Sequence, residues 1–282
     1  MKLRHNKHRS IVIIALAIIV LTVLLFGKIA SAQDRQEGSI FFYNSEININ
    51  NFVSIKVMYD KYFFQYGLHF QPFDDKEIYE NTFRKADLPT IMISSSWHFR
   101  SLNKEFSLRP LLIATRNGKP FFIKVLSVKR PFRGIQSLAG KVVASAGSLE
   151  HTQSLLLKML GKDKVDLLSS IKILNVPKDI DALLALDYNV AHAALTTQDS
   201  LKLIENINPR LNKKLRTLFT SDEILMPVAA IINSGVIGEP QKKIIQIMKE
   251  MKTSGDGRES LSALSIDGWI DVSIEIMEKL LK

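Results

Sequence analysis

The chain predicts an α/β protein of two lobes, each a mostly parallel sheet with flanking helices, joined by two crossover strands. Three observations carry this. Short β-branched runs alternate with helical periodicity along most of the 282 residues, and repeated βα units imply parallel sheets with helices on both faces. That rhythm breaks once, where Leu111–Thr115 and Phe121–Val128 follow each other with only the turn Asn117-Gly118-Lys119-Pro120 between them. It breaks again in the irregular stretch near residues 219–228. Two breaks in one alternation mean two crossings, which place residues 39–125 with 224–282 in lobe one and residues 130–220 in lobe two.

The elements follow in order. Lys2, Arg4, Lys7 and Arg9 precede an apolar run from Ile11 to Phe26, interrupted only by Thr22, and Ala30-Ser31-Ala32 follows. Basic, apolar, then small-x-small is the layout of a secretory signal peptide, so residues 1–32 read as an export signal cut ahead of Gln33. A retained single-span anchor is the alternative, with the same outward orientation. Ser39–Tyr43 is a strand. Asn48–Tyr66 is a helix with Phe52, Ile55, Met58, Tyr59, Tyr62 and Phe63 at spacings of three and four. His69–Phe73 is extended, Asp75–Lys85 is a helix, and Thr90–Ile93 is a buried strand running into the polar loop Ser94–His98. After the break come strands at Val142–Ser145, Ile171–Val176 and Val190–Leu195, with helices at Leu149–Leu160, Lys178–Leu186 and Asp199–Ile207. Leu215–Thr220 is extended and Pro227–Asn233 is a strand. Helices at Glu239–Met251, Gly255–Leu264 and Ser273–Leu281 close the chain.

Composition removes several classes of function. The formal charge is +10, with 38 basic and 28 acidic residues. Five of the basic residues lie in residues 1–32 and no acidic ones do, which leaves +5 on the remainder. Those charges are scattered, so there is no nucleic-acid footprint; they favour anionic ligands modestly. There is no cysteine. Disulfides, thiol catalysis, cysteine metal sites and a lipid-bearing N-terminal cysteine are therefore excluded. With export, this predicts a periplasmic location, as a monomer. No G-x-S-x-G, H-E-x-x-H or P-loop pattern occurs, so no enzyme and no cofactor are expected.

Several phrases resemble those of type II periplasmic solute-binding proteins. They are Gly134-Ile135-Gln136-Ser137-Leu138-Ala139-Gly140-Lys141-Val142-Val143-Ala144, then the helix-to-strand passage Asp181–Ala191, then Thr220-Ser221 with Pro227–Ile231. Leu264-Ser265-Ile266-Asp267-Gly268-Trp269 is similar to a phrase of one subgroup, the phosphate/phosphite/phosphonate-binding proteins of ABC transporters. The resemblance spans roughly residues 86–270. It implies a two-lobe receptor that closes on a small anionic solute and presents it to an ABC permease in the inner membrane. The subgroup's Ser-Thr-Ser-type anion loop is matched only loosely by Gly147-Ser148-Leu149-Glu150-His151-Thr152. Thr152 keeps a hydroxyl, and Ser148 substitutes as a donor. Glu150 and His151 stand where hydroxyls would be, and an ionised Glu150 would repel an anion by about 1–4 kcal/mol at ~4 Å.

In open α/β sheets ligands gather beyond the carboxyl ends of the strands. That rule selects Ser45 and Glu46; Ser94, Ser95, Ser96, Trp97 and His98; Ser148, His151 and Thr152; and the loop Thr196, Thr197 and Gln198. The expected ligand set is Ser45, Ser94, Ser95, Ser96, Trp97, Ser148, His151, Thr152, Thr196 and Thr197. Bland alternatives exist: Ser148 as a helix cap, Glu150 against a helix dipole, Trp97 as packing. A metal is a minor reading, needing His98 and His151 to meet with Glu46 or Glu150. A membrane-anchored sensory module with the same two lobes is the other reading.

Overall fold

The computed structural model describes residues 37–46, 52–86, 89–232 and 236–281. The predicted export signal or anchor, residues 1–32, lies outside them, as do Asn48–Asn51 at the start of the first expected helix. Among the described residues no helix is long and apolar enough to cross a membrane. In chain order the first lobe begins with β1 (Gly38–Tyr43), α1 (Phe52–Phe63), β2 (Leu68–Pro72), α2 (Lys76–Arg84), β3 (Thr90–Ser94), α3 (Ser96–Phe106) and β4 (Leu108–Thr115). The chain crosses through β5 (Phe121–Phe122) into β6 (Lys124–Lys129), β7 (Val142–Ser145), α4 (Leu149–Leu160), α5 (Val165–Ser170), β8 (Lys172–Asn175), α6 (Asp179–Asp187), β9 (Ala193–Thr197), α7 (Gln198–Ile207), α8 (Pro209–Lys214) and β10 (Leu215–Thr220). It returns through β11 (Ile224–Leu225) to β12 (Val228–Ile232), α9 (Glu239–Glu250), α10 (Gly255–Ala263), β13 (Gly268–Asp271) and α11 (Ile274–Leu281).

Two sheets result, ordered β13-β4-β12-β3-β1-β2 and β10-β6-β9-β7-β8. In the first, β1 runs parallel to β2 and β3, while β12 opposes both β3 and β4, and β13 opposes β4. In the second, β7 runs parallel to β8 and β9, and β6 opposes β9 and β10. The opposed strands β6 and β12 have one cause. Each enters its sheet from the crossing, at the end where the parallel strands finish. The crossings themselves pair as a two-stranded ribbon, with Phe121 opposite Leu225 and Phe122 opposite Ile224. All of β6 belongs to the second sheet, so the outward crossing sits at Phe121–Ile123, a few residues before the expected boundary. The turn ahead of it has Asn117 and Gly118 at φ 52° and 71°, the left-handed pair that a tight hairpin turn requires.

Burial follows the sequence pattern. In the second lobe Val143, Ala193 and Leu195 pack on one face of the sheet, and Ala144 and Ala194 pack on the other, the two-residue alternation of a strand. The first lobe is built around aromatic rings; Tyr59 stacks on Phe70 at 4.1 Å between centroids. Two local expectations need correction. Ser94–His98 is not a loop: Ser95 caps α3, accepting the His98 N–H at 3.1 Å, and Phe99, Leu102 and Phe106 carry its apolar stripe. Thr196 and Thr197 also end a strand rather than form a loop. The C-terminal turn of α6 takes up more chain than expected, since both Val190 and Ala191 donate to the Ala185 carbonyl, and β9 starts at Ala193.

Candidate functional site

Two helices, one per lobe, bring their N-termini to the seam between the lobes. Ser95 caps α3, and Ser148 caps α4, where its hydroxyl accepts the His151 N–H at 3.2 Å. Ser45, just past β1, lies between the caps. Its hydroxyl pairs with that of Ser95 at 2.8 Å, and its carbonyl accepts the Ser148 N–H at 2.7 Å. Gly147 permits this approach: a Cβ there would lie 2.8 Å from His151 Nδ1 and 3.3 Å from the Ser45 carbonyl oxygen. Trp97, in the first turn of α3, donates its indole N–H to Ser154 on α4 at 3.1 Å, and its ring meets His151 edge-on. Ser45, Ser95, Ser96, Trp97, Ser148 and His151 thus stand together. The first-turn amides of a helix have no intrahelical acceptor and its N-terminus carries roughly half a positive charge, so two such ends form an anion-seeking locus.

Beside the caps is a buried charged cluster in which Lys124 and Asp179, absent from the sequence reading, join Glu46 and His151. The Asn44 side chain accepts the Glu46 N–H at 2.9 Å, which turns Glu46 inward until it is 3 % exposed. Its Oε1 makes no hydrogen bond among the described residues and lies 3.8 Å from His151 Nε2. Burial pushes the Glu46 carboxyl up to about 7; Asp179 adds to this, while Lys124, Arg100 and Arg116 oppose it. Burial, with Lys124 nearby, pushes the His151 imidazole down to about 3, so it is neutral at physiological pH. Lys124 itself is 2 % exposed and paired with Asp179 at 2.5 Å. These side chains fill the space between them, leaving a cavity of about 20 Å³ that Thr197 also lines. A larger cavity, about 210 Å³, lies on the other side of His151, between α3, α4 and the return crossing.

The remaining predicted residues are placed elsewhere. Ser94 is fully buried inside lobe one against the Tyr79 phenol. Thr152 is fully buried as well, and its hydroxyl donates to Ser145 at 2.9 Å. Thr196 spends its hydroxyl on the Asp179 carbonyl at 2.8 Å, and Thr197 caps α7. Glu150 does not face the caps: it is exposed and reaches Lys76 across the outer seam at 3.4 Å. The histidines of the metal reading are held by different carboxylates, His98 by Glu80 at 2.7 Å and His151 near Glu46. Among the described residues no group of three or more His, Asp or Glu side chains is arranged to hold a metal. Lys124 carried no sequence signal, because a lysine within a β-rich run reads as solvent-facing. The α3 stripe did carry one, in Ser95 followed by Phe99, Leu102 and Phe106.

Comparison with known proteins agrees with this architecture. A model of the family described as "ABC transporter, phosphonate, periplasmic substrate-binding protein" matches residues 65–275. Among solved structures, the binding protein component of an ABC phosphonate transporter, PA3383 from Pseudomonas aeruginosa, is 14% identical with a TM-score of 0.62, over 87% of this chain and 86% of that one. PhnD1 from Prochlorococcus marinus, in complex with methylphosphonate, is 11% identical with a TM-score of 0.60, over 87% and 97%. XAC2383 from Xanthomonas citri, bound to ATP, is 13% identical with a TM-score of 0.62, over 86% and 94%. At these identities the solved structures share the fold. No curated protein matches.

Proposed function

The chain belongs to the periplasmic substrate-binding proteins of ABC phosphonate transporters, and from that premise we propose that it captures a small phosphonate- or phosphate-type anion between the first turns of α3 and α4. The observation that carries this reading is Ser45, which touches both helix caps at once. Two half-positive helix ends held this close repel each other, and an anion between them removes that cost. Exposed Glu150, tethered to Lys76, does not stand against it.

Capture works by hinge motion in this reading. The lobes, residues 39–125 with 224–282 and residues 130–220, pivot on the β5–β11 ribbon. Opening breaks links across the seam that include Ser148 to Ser45, Trp97 to Ser154 and to the His151 ring, Glu46 to His151, and Lys76 to Glu150. The mature protein starts at Gln33 after removal of residues 1–32, acts as a monomer, binds no nucleic acid and hands its solute to an inner-membrane permease. Chemical sequencing of the exported protein that returned Met1 instead of Gln33 would replace this with the anchored form. Calorimetry on the chain from Gln33 tests the ligand class. Heat with methylphosphonate, phosphite or phosphate and none with dicarboxylates is expected. The absence of heat with every phosphorus oxyanion refutes the reading.

A further inference from the structure

The two cavities at the seam differ about tenfold in volume, and that difference bears on the solute. The space beside Glu46 is about 20 Å³, and a water needs roughly 10–15 Å³ by such a measure, so it takes one water. The space beyond His151 is about 210 Å³, enough for a group of several heavy atoms. His151 stands between them, lining the larger cavity while facing Glu46. The larger cavity reaches the first turn of α3 through Ser96 and Trp97 and the first turn of α4 through His151. An oxyanion held at the α3 N-terminus therefore projects its substituent into this space.

The lining specifies what that substituent is. The Trp97 indole with Leu155 and Met159 supplies apolar walls. The Ser96 hydroxyl is 1 % exposed and has no hydrogen-bond partner among the described residues, a state that is costly unless a ligand group fills it. Apart from Arg100, which keeps its positive charge, the charged side chains of the lining are paired. Lys158 and Asp222 pair with each other at 3.5 Å on the rim, Glu223 is held by Lys279, and Arg100 donates to the Leu280 and Lys279 carbonyls. A cationic group is opposed by Arg100, whereas a hydroxyl on a short carbon skeleton meets both the walls and Ser96. We infer that this cavity makes the chain selective for phosphonates or phosphate monoesters bearing a hydroxylated alkyl substituent, in preference to methylphosphonate and inorganic phosphate. The inference rests on the proposed capture at α3 and α4.

Calorimetry on the mature chain tests it with methylphosphonate, 2-hydroxyethylphosphonate and glycerol 3-phosphate, the last two separating a phosphonate from a phosphate ester. At least one hydroxylated compound is expected to bind tenfold or more tightly than methylphosphonate. Thr220→Trp, on the exposed lip of the cavity, is expected to cut that preference at least fivefold; Ser96→Ala, which adds no bulk, at least threefold. Equal affinities in the wild type, or a preference unchanged in both variants, overturns the inference while leaving anion capture standing. No binding of any of the three overturns the inference, and if phosphate and phosphite also fail to bind, anion capture is overturned as well.

Discussion

Replacing Glu46 by glutamine makes the protein more stable at alkaline pH and leaves it unchanged in acid. The magnitude follows from the carboxyl's environment. Burial raises it from an ordinary 4.5 to about 7, so the folded state holds the proton more tightly than the unfolded chain. The stabilisation this gives is complete below pH 4.5 and is lost as pH rises through 7. The difference of about 2.5 units, at about 1.4 kcal/mol each, is on the order of 3 kcal/mol. The amide of the Glu46→Gln variant is neutral throughout and loses nothing. His151 adds a pH dependence of its own, because its imidazole is held down to about 3 in the folded state while that of the unfolded chain takes up a proton near 6.5, but this contribution is common to both proteins and cancels when they are compared at one pH. Urea unfolding at pH 4.5 and pH 8 is the assay. The variant's midpoint should match wild type at pH 4.5 and exceed it by about 1 M or more at pH 8, for slopes of about 1–3 kcal/mol per molar urea. A variant equally shifted at both pH values, or weaker at pH 8, refutes the argument that Glu46 is buried without a sufficient partner.

Three further outcomes are expected. Lys124→Met leaves the Asp179 carboxylate without its buried cation and should cost about 3–5 kcal/mol in the same unfolding assay. Ser148→Ala removes the α4 cap and should cost about 1 kcal/mol; no loss of stability would mean that the cap hydrogen bond is not formed in solution. Glu150→Ala breaks an exposed pair worth less than about 1 kcal/mol and should leave methylphosphonate affinity within threefold by calorimetry, whereas a large gain in affinity would put Glu150 back at the anion.

Much of the architecture was legible because it rests on local periodicity. The strands ending at Tyr43 and Ser145 and the amphipathic helix from Glu239 declare themselves through neighbours in sequence. The two crossings were legible because a missing helix between β-rich runs leaves the chain nowhere else to go. The site was legible only where a local rule placed it. Ser45 and Ser148 follow strand ends, and Ser148 also begins a helical stripe. Ser94 and Thr196 satisfied the same rule but point into their own lobes, since a strand's last side chains alternate between faces and the sequence does not say which face the cleft takes; Thr152 lies on the face of α4 that packs on the end of β7, where its hydroxyl donates to Ser145. Lys124, Asp179 and Glu46 are the opposite case. Their burial comes from three elements distant in sequence, β6, α6 and the turn after β1, closing on one point, and no spacing within the chain encodes that meeting.

The most direct measurement of the account is a titration of the ¹⁵N-labelled mature chain with methylphosphonate, followed through backbone amide resonances. The amides of Ser96, Trp97, Leu149 and Glu150, in the first turns of α3 and α4, should shift together and saturate at one stoichiometric equivalent, with Ser45 moving as its links to both caps are replaced. Saturable shifts confined to other loops, with these five amides unmoved, would contradict capture between the two helix ends.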